Sequence, residues 1–377
     1  MKTRYALREN FLSQISSITT KREEPMTLDE LREKIDTIDD TLLTLYNERM
    51  DLVHQVGELK NTTGAPIYRP EREQAILKRL KAQNNGKLTD GAIDALFLEM
   101  FAVARNLELP EAVAFLGPEA SFTHQAAESK FGALSTYLPI SSIPGVFREV
   151  AKGTAKFGVV PIENSSNGIV TDTINCLDAY NLKIIAEVVI DVHLCFATLS
   201  EDIQKITKIY SKDIAFGQCR KFLQDLGLDE IEHVPVESTA KAAKLAREDA
   251  STAALCPSVA AKMYNLPILF ENVEDDTNNR TRFFVISNFE NQPSGDDKTS
   301  ILVRLANKPG ALVDFLNDFE KAKVNLTKIK SHIVEGKSLF FLEFNGHKEE
   351  KKIAEILAKH RDEIKVLGSY VKERDDI

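Results

Sequence analysis

Arg49 and Lys60 stand eleven residues apart, about three helical turns, so on one helix they point the same way within roughly 20°. Around them apolar residues recur at 28, 31, 35, 38, 42 and 45, then at 52, 56 and 59, a 3–4 repeat whose slot at 49 is taken by the arginine. Two cations on an apolar seam cost desolvation energy unless an anion meets them, so the pair points to an anionic ligand. Ordinary coiled-coil salt bridges are the competing reading; they account for Arg32 well and for Arg49 poorly. A second stretch, FGVVPIENSSNGIV over 157–170, runs from an apolar strand pattern ended by Pro161 into a polar turn of Glu163, Asn164, Ser165, Ser166, Asn167 and Gly168. A polar loop at the carboxyl end of a strand is where open α/β sheets bind ligands. A plain βα turn capped by Ser or Asn has the same pattern. Thr281, in Asn-Arg-Thr-Arg-Phe, reads by itself as a strand residue facing solvent.

The elements that must hold these residues follow from length and pattern. A chain of 377 residues has room for two or three domains. A net charge of −9 without a clustered basic block argues against a nucleic-acid or membrane surface. Cysteines 176, 195, 219 and 256 stand singly and fit reduced core thiols in a cytoplasm. No apolar run approaches the roughly 20 residues of a membrane span. Residues 1–26 read as a loosely ordered extension; Glu9, Glu23 and Glu24 speak against a targeting peptide, and Met26 is a plausible working start.

A helix over 28–60 would be about 50 Å long. That is too long to bury its seam in a small domain, so the pattern predicts pairing with a second chain. In an antiparallel dimer crossing near residue 44, Arg32 of the partner subunit falls opposite position 56, between Arg49 and Lys60. Gly64-Ala65-Pro66 ends the helix and a second starts near Pro70. A third, capped at Thr89, turns Ile93, Leu96, Phe97, Met100, Phe101 and Leu107 inward. Strands and helices then alternate from Glu111, and a return to the first lobe near Thr281 predicts two lobes with a cleft. Asn288 to Lys298 reads as a linker. The remainder spells βαββαβ, the ferredoxin-like pattern.

The motifs GPEASFTH (117–124), PIENSSNG (161–168), YSKDIAFGQC (210–219), EST (237–239) and NRTRFFV (279–285) together resemble those of prephenate dehydratases. LREKID, NER and GELK resemble the all-helical chorismate mutase domain fused ahead of the dehydratase in bifunctional bacterial enzymes. GALV at 310–313 resembles the effector loop of an ACT regulatory domain. The resemblance implies four segments: the extension 1–26, a dimeric, helix-swapped all-α mutase domain over 27–109, a two-lobed α/β dehydratase domain like periplasmic binding proteins over 111–288, and an ACT domain over 298–373.

It also implies roles. Arg49, Lys60, Arg72 and Arg32 of the partner subunit would hold dianionic chorismate, and Glu73 its hydroxyl. Glu108 stands near the ether oxygen, where bacterial enzymes usually have glutamine; a glutamate donates there only when protonated. Arg69 and Ala104 occupy substrate-binding positions where the family often has Asp and Ser. The rearrangement is pericyclic and needs no nucleophile, only compression of the two arms into a chair and stabilisation of charge on the breaking ether.

In the dehydratase, Thr281 would donate to the departing hydroxyl, with Asn164, Ser165, Ser211, Gln218, Ser238 and Thr239 lining the cleft. Arg282 would anchor a carboxylate or brace the loop. Ala120 stands where the family usually has glycine. Phenylalanine, the expected effector, would meet Gly310, Ala311, Leu312, Val313 and Ser331. The family's Glu-Ser-Arg-Pro motif is Lys330-Ser331-His332-Ile333 here, which predicts weaker inhibition. Neither reaction calls for a metal or an organic cofactor. The expected protein is a cytoplasmic homodimer, or a higher oligomer, with small-molecule substrates and no nucleic-acid or membrane partner. Its rivals are an arogenate dehydratase and a phenylalanine sensor with decayed enzyme sites; Arg49, Lys60, Thr281 and PIENS count against the second.

Overall fold

The computed structural model describes residues 26–63, 68–108, 112–166, 168–334 and 337–373. It comprises two compact units, one ending at Val56 and one beginning at Gly57.

The first unit is the greater part of helix α1 (Leu28–Thr63). Its start is a capping box: the Thr27 hydroxyl accepts the Glu30 N–H at 3.3 Å and the Glu30 carboxylate accepts the Thr27 N–H at 2.8 Å. Donation from the Thr27 N–H, and from its hydroxyl at 3.1 Å, holds the Glu30 carboxyl below the usual range. The apolar seam lies open along its length, with Leu28 and Leu52 each 63% exposed and Ile38 57%. An apolar face of this extent marks an interaction surface.

The second unit opens with α2 (Pro70–Gln83) and α3 (Asp90–Glu108). Pro70 sits in the first turn of α2 and the Thr89 hydroxyl accepts the Ala92 N–H at 3.2 Å, both as the sequence predicts. The first α/β lobe contains β1 (Ala112–Leu116), α4 (Phe122–Phe131), β2 (Thr136–Ile140), α5 (Ile143–Lys152), β3 (Phe157–Asn164), β4 (Gly168–Ile169), α6 (Thr171–Ala179) and β5 (Lys183–Asp191). The second holds β6 (Cys195–Thr198), β7 (Lys208–Ser211), α7 (Asp213–Gln218), α8 (Arg220–Asp225), β8 (Glu232–Pro235), α9 (Thr239–Ala246), β9 (Thr252–Cys256), α10 (Ser258–Met263) and β10 (Ile268–Phe270). The chain returns through β11 (Arg280–Ser287), which lies between β3 and β5 and antiparallel to both, giving the order β2-β1-β3-β11-β5. The second sheet runs β10-β6-β9-β7-β8.

Two crossing segments join the lobes and hold each other. Val192 N donates to Asn279 O at 2.7 Å, Val273 N to Leu194 O at 2.9 Å, and Leu194 N to the buried Glu274 carboxylate at 2.8 Å. In the turn before α4, Ala120 holds a φ of +59°, the left-handed conformation that explains a preference for glycine there, and its N–H donates to His124 Nδ1 at 3.1 Å.

The C-terminal domain is β12 (Asp297–Arg304), α11 (Ala311–Lys321), β13 (Leu326–Val334), β14 (Lys337–Asn345), α12 (Lys351–Lys359) and β15 (Ile364–Val371), with sheet order β13-β14-β12-β15. One face of this sheet carries the helices through Phe315, Phe319, Ile353 and Ile356. The other shares a core with the first lobe, where Leu302, Phe341, Leu367 and Tyr370 join Ile184, Phe284 and Ile286. The approach is close enough that a Cβ on Gly368 would lie 2.1 Å from Ile184 O, so no other residue fits. The segment that reads as a linker is tied down here. Asn291 is buried and its amide donates to Ile185 O at 2.7 Å and Ser369 O at 3.2 Å.

Candidate functional site

β3 forms from the apolar run at 157–160, but Pro161 does not end it. The register with β11 slips between Arg282 and Phe283, so that Phe283 faces Pro161 and Arg282 faces Glu163. This bulge accommodates a residue without an N–H, and the strand continues to Asn164.

The continuation sets Asn164 directly across from Thr281. The Asn164 amide nitrogen donates to Thr281 Oγ1 at 2.9 Å, Arg280 O at 3.0 Å and Asn279 Oδ1 at 2.8 Å. Its oxygen accepts the Ser166 N–H at 3.1 Å. Ser165 closes the loop: its N–H donates to Arg280 O and its Oγ accepts the Arg280 N–H, each at 2.9 Å. Because Thr281 Oγ1 already accepts a hydrogen bond from the Asn164 amide, the threonine's own O–H is left to donate to another acceptor. The pair thus presents a fixed hydroxyl donor at the edge where the chain crosses between lobes.

In the second lobe the hydroxyls are differently employed. Ser211 is fully buried and donates to Leu255 O at 2.7 Å. It braces β7 against β9 rather than offering a group to a ligand, which corrects its assignment to the cleft. Ser238 caps α9, accepting the Lys241 N–H at 3.1 Å, and Thr239 is the first residue of that helix. Gln218 ends α7 half-buried, and its carbonyl accepts the Asp275 N–H at 2.6 Å, so it adjoins the second crossing segment.

Arg282 is also corrected. Next to Thr281 on an extended strand, it faces the opposite side of the sheet. Its side chain is 1% exposed; Nε donates to Glu187 at 2.7 Å, and Nη1 and Nη2 to Glu343 of the C-terminal domain at 2.8 and 2.6 Å. Lys298 joins Glu187 at 3.0 Å. Burial pushes the Glu343 carboxyl up, but Arg282 beside it outweighs this and holds it below the usual carboxylate range. Arg282 therefore fastens two domains together and neither anchors a substrate carboxylate nor braces the loop.

In the first unit, Arg32 is exposed and pairs with Asp29 at 3.4 Å, while Arg49 is half-buried. In the second, Lys60 is half-buried, Arg72 exposed and Ala104 buried on α3. Arg69 donates to Glu71 at 2.7 Å. Glu73 meets Arg105 at 2.5 Å, and burial, opposed by that arginine, raises its carboxyl above the usual value. Arg105 also donates to Phe131 O at 2.8 Å, so Glu73 takes part in tying α2 and α3 to the first lobe. The side chain of Glu108 lies outside the described residues. In the C-terminal domain Gly310 precedes α11 with φ +86°, Val313 is 61% exposed, Ala311 and Leu312 are half-buried, and Ser331 is exposed on β13.

Asn279, Glu187, Glu343 and Arg105 are structural partners that the sequence alone does not single out. Asn279 is the only one with a local signal, since it opens the NRTRFFV stretch.

Family models match along the chain in order: chorismate mutase type II over residues 31–109, prephenate dehydratase over 113–291, and the ACT domain over 299–362. The bifunctional chorismate mutase/prephenate dehydratase of Aquifex aeolicus is 40% identical over 92% of this chain and 98% of its own length. That of Pseudomonas aeruginosa is 41% identical over the same shares. Among solved structures, an Arthrobacter aurescens prephenate dehydratase in complex with L-Phe superposes with a TM-score of 0.64 at 32% identity, covering 69% of this chain and 90% of that one. Three domains in this order, matched over almost the whole length of such relatives, place the chain in the family of bifunctional chorismate mutase/prephenate dehydratases.

Proposed function

We propose that the chain converts chorismate to prephenate and prephenate to phenylpyruvate, in the cytoplasm, as a homodimer under feedback control by phenylalanine. The observation that carries the dehydratase half is the Asn164–Thr281 pair, a hydroxyl donor fixed by an amide. Prephenate loses carbon dioxide and hydroxide together, driven by aromatisation. The departing hydroxyl needs a proton, and its carboxylate must leave solvent. A free threonine is far too weak an acid to surrender its proton outright, so Thr281 acts by hydrogen bonding to the leaving oxygen, relaying a proton from elsewhere. Ser165 shapes the loop, and Gln218, Ser238 and Thr239 flank the cleft.

The mutase half rests on the cations the family assigns: Arg49, Lys60, Arg72 and Arg32 of the partner subunit bind the dianion, with Lys60 at the ether oxygen. Glu73, which the family assigns to the hydroxyl, is held by Arg105, so the same carboxylate would have to serve both partners. The exposed seam of α1 favours a second copy as its cover. Light scattering of the purified chain is expected to give at least twice the mass of one chain. Replacing Leu31 and Ile38 with glutamate should yield monomers that lose the mutase reaction. A fully active monomer would refute the dimer.

For phenylalanine, the Gly310 loop supplies close backbone approach and Ala311 leaves room for a ring. A β-branched residue at φ +86° is strained, so Gly310→Val should raise the inhibitory concentration at least about tenfold. The altered Lys330-Ser331-His332-Ile333 strand makes the wild-type site weaker than one carrying Glu-Ser-Arg-Pro. Titration of the full chain with phenylalanine, beside the inhibition assay, tests both statements. Full inhibition in Gly310→Val would move the site elsewhere, and no heat or inhibition at millimolar phenylalanine would remove it.

A further inference from the structure

Consecutive cross-strand pairs of β3 and β11 face opposite ways. Asn164 and Thr281 form one pair, and Glu163 and Arg282 the next. Arg282 enters the network with Glu187 and Glu343. Glu163 turns instead to β13, where its carboxylate accepts from Lys328 Nζ and lies 3.7 Å from Lys330 Nζ. The two lysines alternate along that strand and so share one face. The Glu163 side chain is 9% exposed and that of Lys328 14%, against 47% for Lys330. A buried carboxylate follows its cation, because separating them leaves an uncompensated charge.

We propose that Glu163 is a positioning residue of the dehydratase site, and that Lys328 and Lys330 are the handle by which the C-terminal domain sets its place. Glu163 is bonded directly to Asn164, whose amide holds Thr281 Oγ1 at 2.9 Å. A shift of β13 passes through one side chain and one peptide to the donor hydroxyl. Lys330 is followed by Ser331 on the same strand, so an effector that meets Ser331 acts on the strand that grips Glu163. Lys328 also stands across from Glu343 on β14, so the handle adjoins the buried Arg282 network that fastens the two domains. The lysine that departs from the Glu-Ser-Arg-Pro motif therefore has a partner in the dehydratase domain. This inference rests on the reading of Asn164 and Thr281 as the prephenate site and of phenylalanine as effector.

The test uses the full chain with Lys328→Met, Lys328→Arg and Lys330→Met. A misplaced donor lowers kcat more than KM. Lys328→Met is expected to lose about tenfold in prephenate kcat with KM within about threefold, to consume chorismate at the wild-type rate, and to recover most of its kcat as Lys328→Arg. Calorimetry should show phenylalanine still binding Lys328→Met while inhibiting it less than it inhibits the wild type. Lys330→Met, at the more exposed contact, should give a smaller change in the same direction. Unchanged kcat and unchanged inhibition in Lys328→Met would overturn the proposal. So would an equal fall in chorismate consumption, absence of rescue by Lys328→Arg, or loss of phenylalanine heat together with inhibition. Failure of the underlying readings shows separately. Full activity in Thr281→Ala would remove the site itself. A wild type indifferent to phenylalanine would remove the effector and leave the kcat comparison to decide the positioning role.

Discussion

Thr281→Ala is expected to cut phenylpyruvate formation from prephenate by at least about a hundredfold, the cost of removing one preorganised donor at a centre of developing charge. Chorismate consumption by the same variant should stay within about twofold of wild type, since the residues assigned to the mutase lie on the N-terminal helices and Thr281 on β11. Arg49→Ala should do the reverse, abolishing the rearrangement while leaving supplied prephenate to be dehydrated. Asn164 Nδ2 donates to Thr281 Oγ1, so the methyl of alanine leaves that amide two other acceptors, Arg280 O and Asn279 Oδ1. The loop therefore keeps its place, and the loss reports the hydroxyl rather than a collapsed site. Rates from chorismate and from prephenate, measured on both variants, decide the matter. Equal falls in both reactions would defeat the assignment of separate sites.

Arg282→Met is expected to act on stability, although Arg282 is the next residue along the strand. Removing the cation leaves Glu187 and Glu343 buried, with Lys298 3.0 Å from Glu187 and Lys328 across from Glu343 as remaining cations. Breaking a buried network in this way costs about 3–5 kcal/mol. In a unit of this size that lowers the unfolding midpoint by roughly 4–8 °C. Glu343 adds a pH signature. Its folded pKa lies below its unfolded one, because Arg282 outweighs the effect of burial. The stability it contributes is therefore present above the ordinary glutamate range and is lost as pH falls through the depressed folded value. Without Arg282 the burial effect dominates and the sign reverses: Glu343 then costs stability at neutral pH, and that cost is relieved as pH falls. The midpoints of the two proteins should lie furthest apart at pH 7 and draw together as the pH is taken down to 4. Parallel curves would mean that the arginine does not govern Glu343.

Much of this arrangement is legible in the chain itself. The 3–4 repeat of α1, the cap at Thr89, the two crossings between lobes and the βαββαβ order all follow from local pattern. Even the opposite facing of Thr281 and Arg282 is implicit in strand alternation. What local pattern does not contain is register. Asn164 meets Thr281, and Glu163 meets Lys328, only because strands distant in sequence pair and domains dock. Arg282 reads as a ligand-binding cation for the same reason, since its acids lie on β5 and β14. Pro161 reads as a strand end because the bulge that accommodates it is built by β11. Ser211 sits where the family motif places it, yet its hydroxyl is spent on Leu255 O.

The most direct test of the bifunctional account follows chorismate, prephenate and phenylpyruvate together on one purified sample of the full chain. Chorismate should disappear, prephenate should rise and then fall, and phenylpyruvate should approach the chorismate supplied; in a parallel assay arogenate should be turned over more slowly than prephenate. Prephenate that accumulates without phenylpyruvate, chorismate that persists, or a preference for arogenate would contradict the account.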